Sequence, residues 1–253
     1  FIHLKSNDKQ IIFGLQPVKE AVKAGKDFER LYIYKGMNKE NFSELKILLQ
    51  QYHIAYQLVP IEKLNRMVQG NHQGVVGIIS RIVYHQLEDI IAEVFEKGRS
   101  PFIVIIDRVT DVRNLGAIAR TAECAGVDAL VVPLHESAMI HAEAIRTSSG
   151  ALARIPICRV DNLKWAVNYM KASGLSIISI SEKGNCSFSE INFTIPVALI
   201  LGSEEDGISN ALLRLSDEIC FVPMMGKIGS LNVSVAGGIA MYEVVRQRIN
   251  KNQ

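Results

Sequence analysis

From residue 101 onward the chain repeats one pattern six times. A short, nearly unbroken run of Val, Ile, Leu and Ala is followed by polar or glycine-containing residues. The runs are "PFIVIID", "DALVVP", "IPICRV", "LSIISI", "VALILG" and "EICFVP", and helix-patterned segments separate most of them. A strand with one wet face alternates apolar and polar residues, whereas a run apolar at successive positions is covered on both faces. Parallel strands also need long crossovers, usually helices. The pattern therefore predicts an α/β domain built on a parallel sheet with helices on both sides.

The first part of the chain is organised differently. Residues 11–83 alternate short β-rich runs ("IIFG", "RLYIYK", "IAYQLV", "GVVGIISRIV") with amphipathic helical patterns ("LQPVKEAVKAG", "NFSELKILLQQY", "IEKLNRMV"). They read as a small α/β domain. "YHQLEDIIAEVFEKGRSP" reads as one charged amphipathic helix that ends at Gly98 and Pro101 and has a polar face suited to a connector. The expected division is a domain over 1–83, a helical linker over 84–100 and a second domain over 101–253.

Charge is unevenly spread. Residues 1–80 hold 11 Lys and Arg against 7 Asp and Glu, while the remainder holds 17 against 19. A basic unit on a mildly acidic body suits attachment to a polyanion, and it equally suits a solvated surface. No apolar run reaches the roughly 18 residues of a membrane span, and the first ten residues lack the basic and apolar regions of a secretory signal. Cys124, Cys158, Cys186 and Cys220 form no CxxC pair, so no zinc site is expected. Their dispersal through apolar contexts suggests reduced, buried thiols in a cytoplasmic protein.

In open parallel sheets, ligands bind beyond the carboxyl ends of the strands. Three segments stand at such ends: "DRVTDVRNLGAIARTAECAG", "LGSEEDGIS" and "VPMMGKIGSLNVSVAGG". Each mixes glycine, which lets backbone approach closely, with a few polar side chains. The dinucleotide pattern GxGxxG is absent after a first strand. "GK" at 226–227 is not a phosphate loop, because Phe221 and Ile228 occupy its defining positions. No HExxH, GxSxG or zinc-deaminase signature occurs.

Taken together, "NLGAIARTAECAG", "LILGSEEDGIS" and "VPMMGKIGSLNVSVAGGIAMYE" resemble, in order and spacing, the three motifs of the SpoU (TrmH) family of RNA ribose 2′-O-methyltransferases, within the SPOUT class. The basic N-terminal unit, with "HQGVVGII" near its end, resembles the ribosomal-protein-like RNA-binding domain of the branch that methylates guanosine in 23S ribosomal RNA. The resemblance implies a C-terminal α/β trefoil knot, a crevice for S-adenosyl-L-methionine, a homodimer with composite sites, RNA as partner and no metal. Ribosomal RNA is the expected substrate. Transfer RNA is the nearest alternative, and a non-catalytic RNA-binding assembly factor or a small-molecule methyltransferase are others.

The resemblance also assigns residues. Arg120 matches the family's catalytic arginine. Because a guanidinium stays protonated, it suits an electrostatic anchor for the target phosphate and the developing alkoxide better than a general base. Asn114 reads as the cap of a helix beginning at Leu115 and as a group that positions the ribose. Glu204 would orient Asn232 or the ribose. Asn232 sits at the start of the final helix beside Ser230, where an asparagine can cap the helix, and the resemblance implies that it also holds the ribose. Gly202 would let backbone approach the cofactor, and the chain around Val222, Met224, Ser230 and Leu231 would grip its adenine and methionine parts. The second motif departs from the family pattern LGNEGxG: Ser203 stands for Asn, and Glu205 for Gly, giving three acids in a row. Ala236, Gly237 and Gly238 read as small residues for close helix packing. His72 and the tyrosines at 32, 34, 52 and 56 carry no clear assignment.

Overall fold

The computed structural model describes residues 10–251 apart from 27, 53, 80–81, 135–137, 139–141 and 228. The chain forms two compact units that divide after Ile82.

The first unit contains β1 (Gln10–Phe13), α1 (Leu15–Lys23), β2 (Phe28–Tyr34), α2 (Lys39–Gln51), β3 (Gln57–Val59), α3 (Ile61–Met67) and β4 (Val75–Ile79). Its sheet has the order β1-β4-β2-β3, with β4 antiparallel to both neighbours and β2 parallel to β3. Side chains alternate across β2. Leu31 and Ile33 join Val18, Val22, Leu45 and Leu49 on one face, while Tyr32 joins Val59 and Leu64 on the other. His72 is buried and structural: its Nδ1 accepts from Gly74 N at 3.0 Å, and its Nε2 lies 2.8 Å from Asn65 Oδ1. These contacts hold the turn before β4, in which Gln73 and Gly74 both have positive φ. Of the four tyrosines, Tyr32 is buried and carries Lys63 over its ring, and only Tyr52 is exposed. Residues 80–81, within the run read as the last strand, lie outside the described residues.

The second unit contains α4 (Leu87–Glu96), β5 (Phe102–Ile106), α5 (Val112–Cys124), β6 (Ala129–Pro133), α6 (Ala142–Thr147), β7 (Ile157–Val160), α7 (Leu163–Ala172) and β8 (Ser176–Ile180). It continues through β9 (Cys186–Ser187), β10 (Val197–Leu201), α8 (Asn210–Leu213), β11 (Glu218–Phe221) and α9 (Val233–Lys251). The seven strands lie in the order β7-β6-β5-β10-β8-β11-β9, and every pairing is parallel. All five residues of β5 and all five of β10 are buried. Ile103, Ile105, Ala198 and Ile200 pack with α4, α7 and α8, while α5 and α9 pack against each other elsewhere on the sheet.

Two sequence expectations are corrected here. The segment read as a helical linker over 84–100 is instead a structural part of the second unit. Leu87, Ile90, Ile91 and Val94 are buried in its core, and Tyr84 bridges to Ile157. Its apolar stripe has sheet to cover, so the helix cannot stand free as a connector. The thiols are not uniformly buried either: Cys158 and Cys220 are buried, Cys186 is intermediate and Cys124 is exposed. Burial pushes the Cys158 and Cys220 thiols up to about 12. The short strand β9 also went unread, because two residues carry no periodicity.

No helix among the described residues is long and apolar enough to cross a membrane. At its far end α9 fastens the sheet through half-buried Arg248. Its guanidinium donates to the carbonyls of Ser100 (2.8 Å), Pro101 (3.1 Å), Phe193 (3.1 Å) and Ile195 (2.9 Å), and lies over the Phe102 ring. Four carbonyls converging on one fixed fork is a task for arginine, not lysine. Arg248→Met is expected to lower stability to denaturant by about 2–3 kcal/mol, and Arg248→Lys by roughly half as much. A loss below about 0.5 kcal/mol in the methionine variant, the range of an ordinary surface change, would remove the fork from the list of what holds this unit.

Candidate active site

The loops at the carboxyl ends of β5, β8, β10 and β11 converge where α9 begins. Asp111, not Asn114, caps α5: its carboxylate accepts from Arg113 N at 2.6 Å, and its carbonyl accepts from Leu115 N at 3.0 Å. Asn114 is therefore in the first turn of α5, and the expectation that it caps the helix is corrected. Its amide is free to face outward, and Asn114 Oδ1 accepts a hydrogen bond from Asn232 Nδ2 at 3.0 Å.

Asn232 precedes α9 and orients it. Its carbonyl accepts from Val235 N and Ala236 N, each at 3.0 Å. Its Oδ1 accepts from Ser234 N at 2.9 Å and from Ser234 Oγ at 2.6 Å. With the amide oxygen occupied by the helix start, Nδ2 points away from the helix. One of its bonds goes to Asn114 and the other to Glu204 Oε1. An amide nitrogen has two hydrogens to donate, so both are used. The bonding pattern also explains why the residue is asparagine. Aspartate would satisfy the helix cap but would present an acceptor to two more acceptors.

Glu204 lies in a turn closed by two backbone bonds, Ser203 N to Gly207 O at 3.1 Å and Gly207 N to Ser203 O at 3.0 Å. Ser203 Oγ accepts from Asp206 N at 3.1 Å, so the serine found where the family pattern has asparagine still ties the turn. Gly202 is obligatory by packing: a Cβ there would lie 2.2 Å from Gly207 C and 2.3 Å from Ile208 N. Both are backbone atoms of the closed turn and cannot move aside.

Beside this cluster opens a cavity of about 440 Å³. Gly202, Val222, Met224, Ser230 and Leu231, all expected at a cofactor site, line it, and Glu204 stands on its wall. Its lining mixes apolar residues with a large polar share, Glu182, Lys183, Glu204, Glu205 and Asp206 among them, so it is wetter than most small-molecule sites. Sequence reasoning missed the contribution of β8 and the loop after it, Ile180 to Lys183, which also lines the cavity. The available signal was a fourth carboxyl end carrying a glycine: a Cβ at Gly184 would lie 2.6 Å from the Cys220 backbone. Gly237 likewise brings α9 close to β10, with a Cβ there 2.6 Å from Leu201 Cδ1.

Arg120 lies apart from this group. It is exposed on α5, does not line the cavity and has no hydrogen-bond or ion-pair partner among the described residues. Three of the four expected catalytic side chains are thus joined by hydrogen bonds, and the fourth projects from a helix that carries one of them. No group of three His, Cys, Asp or Glu among the described residues is placed to hold a metal ion.

Comparison with known proteins agrees with this architecture. Residues 101–242 match the SpoU rRNA Methylase family, and residues 11–84 match the RNA 2′-O ribose methyltransferase substrate binding family. The chain belongs to the SpoU rRNA methylase family and is an RNA methyltransferase. A Bacillus subtilis relative named for the TrmH family of tRNA/rRNA methyltransferases is 33% identical over 96% of this chain and 98% of its own length. A 23S rRNA (guanosine-2′-O-)-methyltransferase of Yersinia pestis is 33% identical over 94% of this chain and 98% of its own. Among solved structures, the SpoU methyltransferase AviRb of Streptomyces viridochromogenes, in complex with AdoMet, is 27% identical with a TM-score of 0.60, covering 96% of this chain and 91% of that one.

Asn232→Asp separates helix capping from the rest of the cluster. The cap survives, while an anion replaces the donor facing Glu204 and Asn114. Methyl transfer is expected to fall about 10²-fold, the scale for losing one preorganised donor. The thermal midpoint should move by only a few degrees, because the cap is retained. A rate within about threefold of the parent, under 1 kcal/mol of barrier, would show that the two amide N–H bonds have no part in the reaction.

Proposed function

We propose that this protein transfers the methyl group of S-adenosyl-L-methionine to the ribose 2′-hydroxyl of a guanosine in large-subunit ribosomal RNA. The observation that carries the proposal is the Asn232 amide, strapped between Asn114 and Glu204 at the edge of the 440 Å³ cavity. The residues suit that methyl donor. Val222 and Leu231 offer an apolar slot, Gly202 removes side-chain bulk, and Glu204, Glu205 and Asp206 supply negative charge beside a cavity that would take a sulfonium cation. When bound, S-adenosylmethionine supplies the electrophilic methyl group.

The remaining tasks fall to the chain. Asn114, Glu204 and Asn232 form a rigid polar edge that holds the ribose with its 2′-oxygen directed at the cavity. Fixing that approach is worth far more than any single contact energy, because it removes orientational freedom before the reaction. The guanidinium of Arg120 anchors the target phosphate and stabilises the negative charge that develops on the 2′-oxygen as the hydroxyl proton passes to water at this exposed edge. The first unit recruits structured RNA through an interaction that weakens as salt rises.

Two further parts of the reading rest on features away from the cavity. On α9, Val235, Ile239, Tyr242 and Ile249 fall on one face and are 49%, 37%, 52% and 54% exposed. A second copy of the chain covers this face, beside the site that α9 opens. The four free cysteines fit a reducing compartment, the cytoplasm.

Titration calorimetry should detect S-adenosylmethionine binding by both the parent protein and Arg120→Ala. Only the parent should then transfer label from the radioactive cofactor to fragments of 23S ribosomal RNA. Methylation at the 2′-oxygen leaves the adjoining phosphodiester resistant to alkali, so the label should appear in an alkali-stable dinucleotide containing guanosine. Label in alkali-sensitive mononucleotides would place the methyl on a base and overturn the ribose assignment. Preferential labelling of transfer RNA would overturn the ribosomal one. Sedimentation equilibrium should give the mass of a dimer, and Ile239→Glu the mass of a monomer; a monomeric parent protein would refute the partner assigned to α9.

A further inference from the structure

Two unfavourable features meet at Arg108, a residue outside the cluster described above. Its φ is +56°, a left-handed backbone that a side chain other than glycine adopts at a cost. Its Nε is buried without a hydrogen-bond partner, the one such side-chain atom among the described residues. The nearest carboxylate oxygen, Asp107 Oδ1, is 3.6 Å away, beyond hydrogen-bond reach. Strain of this kind persists where the surroundings compensate it, and it gathers at functional sites.

What Arg108 gains is a hold on the turn that carries Glu204. Its Nη1 donates to Asp206 Oδ2 at 3.3 Å, and its Nη2 donates to the Gly207 carbonyl at 3.2 Å. The preceding residue grips the two flanks of the same turn. Asp107 N donates to the Leu201 carbonyl at 2.8 Å, and Asp107 Oδ2 accepts from Ser209 N at 2.7 Å. Residues 107 and 108 thus hold the segment before, within and after the turn. That turn contains three consecutive carboxylates, which repel one another, and Arg108 is the cation paired with the last of them.

We propose that Arg108 is a positioning residue for methyl transfer, clamping the Ser203–Gly207 turn so that Glu204 meets Asn232 and the turn forms a fixed wall of the methyl-donor cavity. The proposal rests on the placement of S-adenosylmethionine made above. The guanidinium acts on the donor through the turn and touches neither donor nor RNA. It also accounts for how the chain tolerates an acidic residue where the family pattern has glycine: a turn held from outside does not depend on glycine for its shape.

Glycine at 108 separates the side chain from the backbone, because it adopts the positive φ freely. In the full-length protein, Arg108→Gly should leave the thermal midpoint unchanged or raised, yet speed amide hydrogen exchange at Asp206 and Gly207. It should weaken S-adenosylmethionine binding about threefold to tenfold, the scale for a partly exposed charged hydrogen bond. The KM for the donor should rise while that for RNA stays at the parent value. Arg108→Lys, which keeps the charge but can make a single contact, should recover part of the affinity. Parent-like exchange at the turn together with parent-like donor affinity in Arg108→Gly would overturn the clamp. If the parent protein itself failed to bind S-adenosylmethionine, the placement of the donor would fall, and the exchange comparison would still decide whether Arg108 holds the turn.

Discussion

The second unit depends on one constraint: its central strands β5 and β10 are covered on both faces, so the polar chemistry next to them has to sit beyond their ends. β5 and β10 pair in register from Phe102 with Val197 to Ile106 with Leu201, and no residue of either strand reaches solvent. A polar side chain inside that layer would be buried without a partner, at a cost of about 1–3 kcal/mol. The first polar residues after these strands, Asp107 and Ser203, both make hydrogen bonds within the loops at the carboxyl edge. The site lies at this edge because the central strand pair leaves no place for polar groups within it.

At that edge, the helix start and the candidate site are held by one side chain. Asn232 uses its oxygen to start α9 and its nitrogen to join Asn114 and Glu204. The elements that meet there come from three distant stretches of chain, and a short amide is their meeting point. Preorganisation of this sort lets exposed groups keep a fixed geometry that free side chains in water would lose. Arg108 extends the same logic outward, because it fixes the turn from which Glu204 projects.

Much of this was legible in the sequence, for identifiable reasons. Runs such as "FIVII" and "VALIL" are apolar at every position, which allows few outcomes other than a doubly covered strand. The grouping of Asn114, Glu204 and Asn232, 28 to 118 residues apart, came from a resemblance in three motifs, since periodicity carries no information about which loops meet. The helix at 87–96 was misjudged because an amphipathic stripe says that a face is buried without saying against what. Asn114 and Asp111, three residues apart, are equally good caps by residue type, and only the backbone distinguishes them. Arg108 was invisible, because neither its positive φ nor its contact with residues 98 and 99 positions away has a local signature.

The attachment of α9 by Arg248 also bears on how the chain reaches this state. The arginine bonds the carbonyl of Ser100 across 148 positions, and the central strand pair joins Phe102 to Val197. A unit of such high contact order closes its loops slowly, because long segments lose their freedom before native pairing repays them. During synthesis β5 emerges well before β10, its parallel neighbour, and the helix that fastens both comes after them. β5, part of the driest layer of the sheet, thus waits through some ninety residues for this neighbour, and the second unit completes its fold only once α9 has left the ribosome.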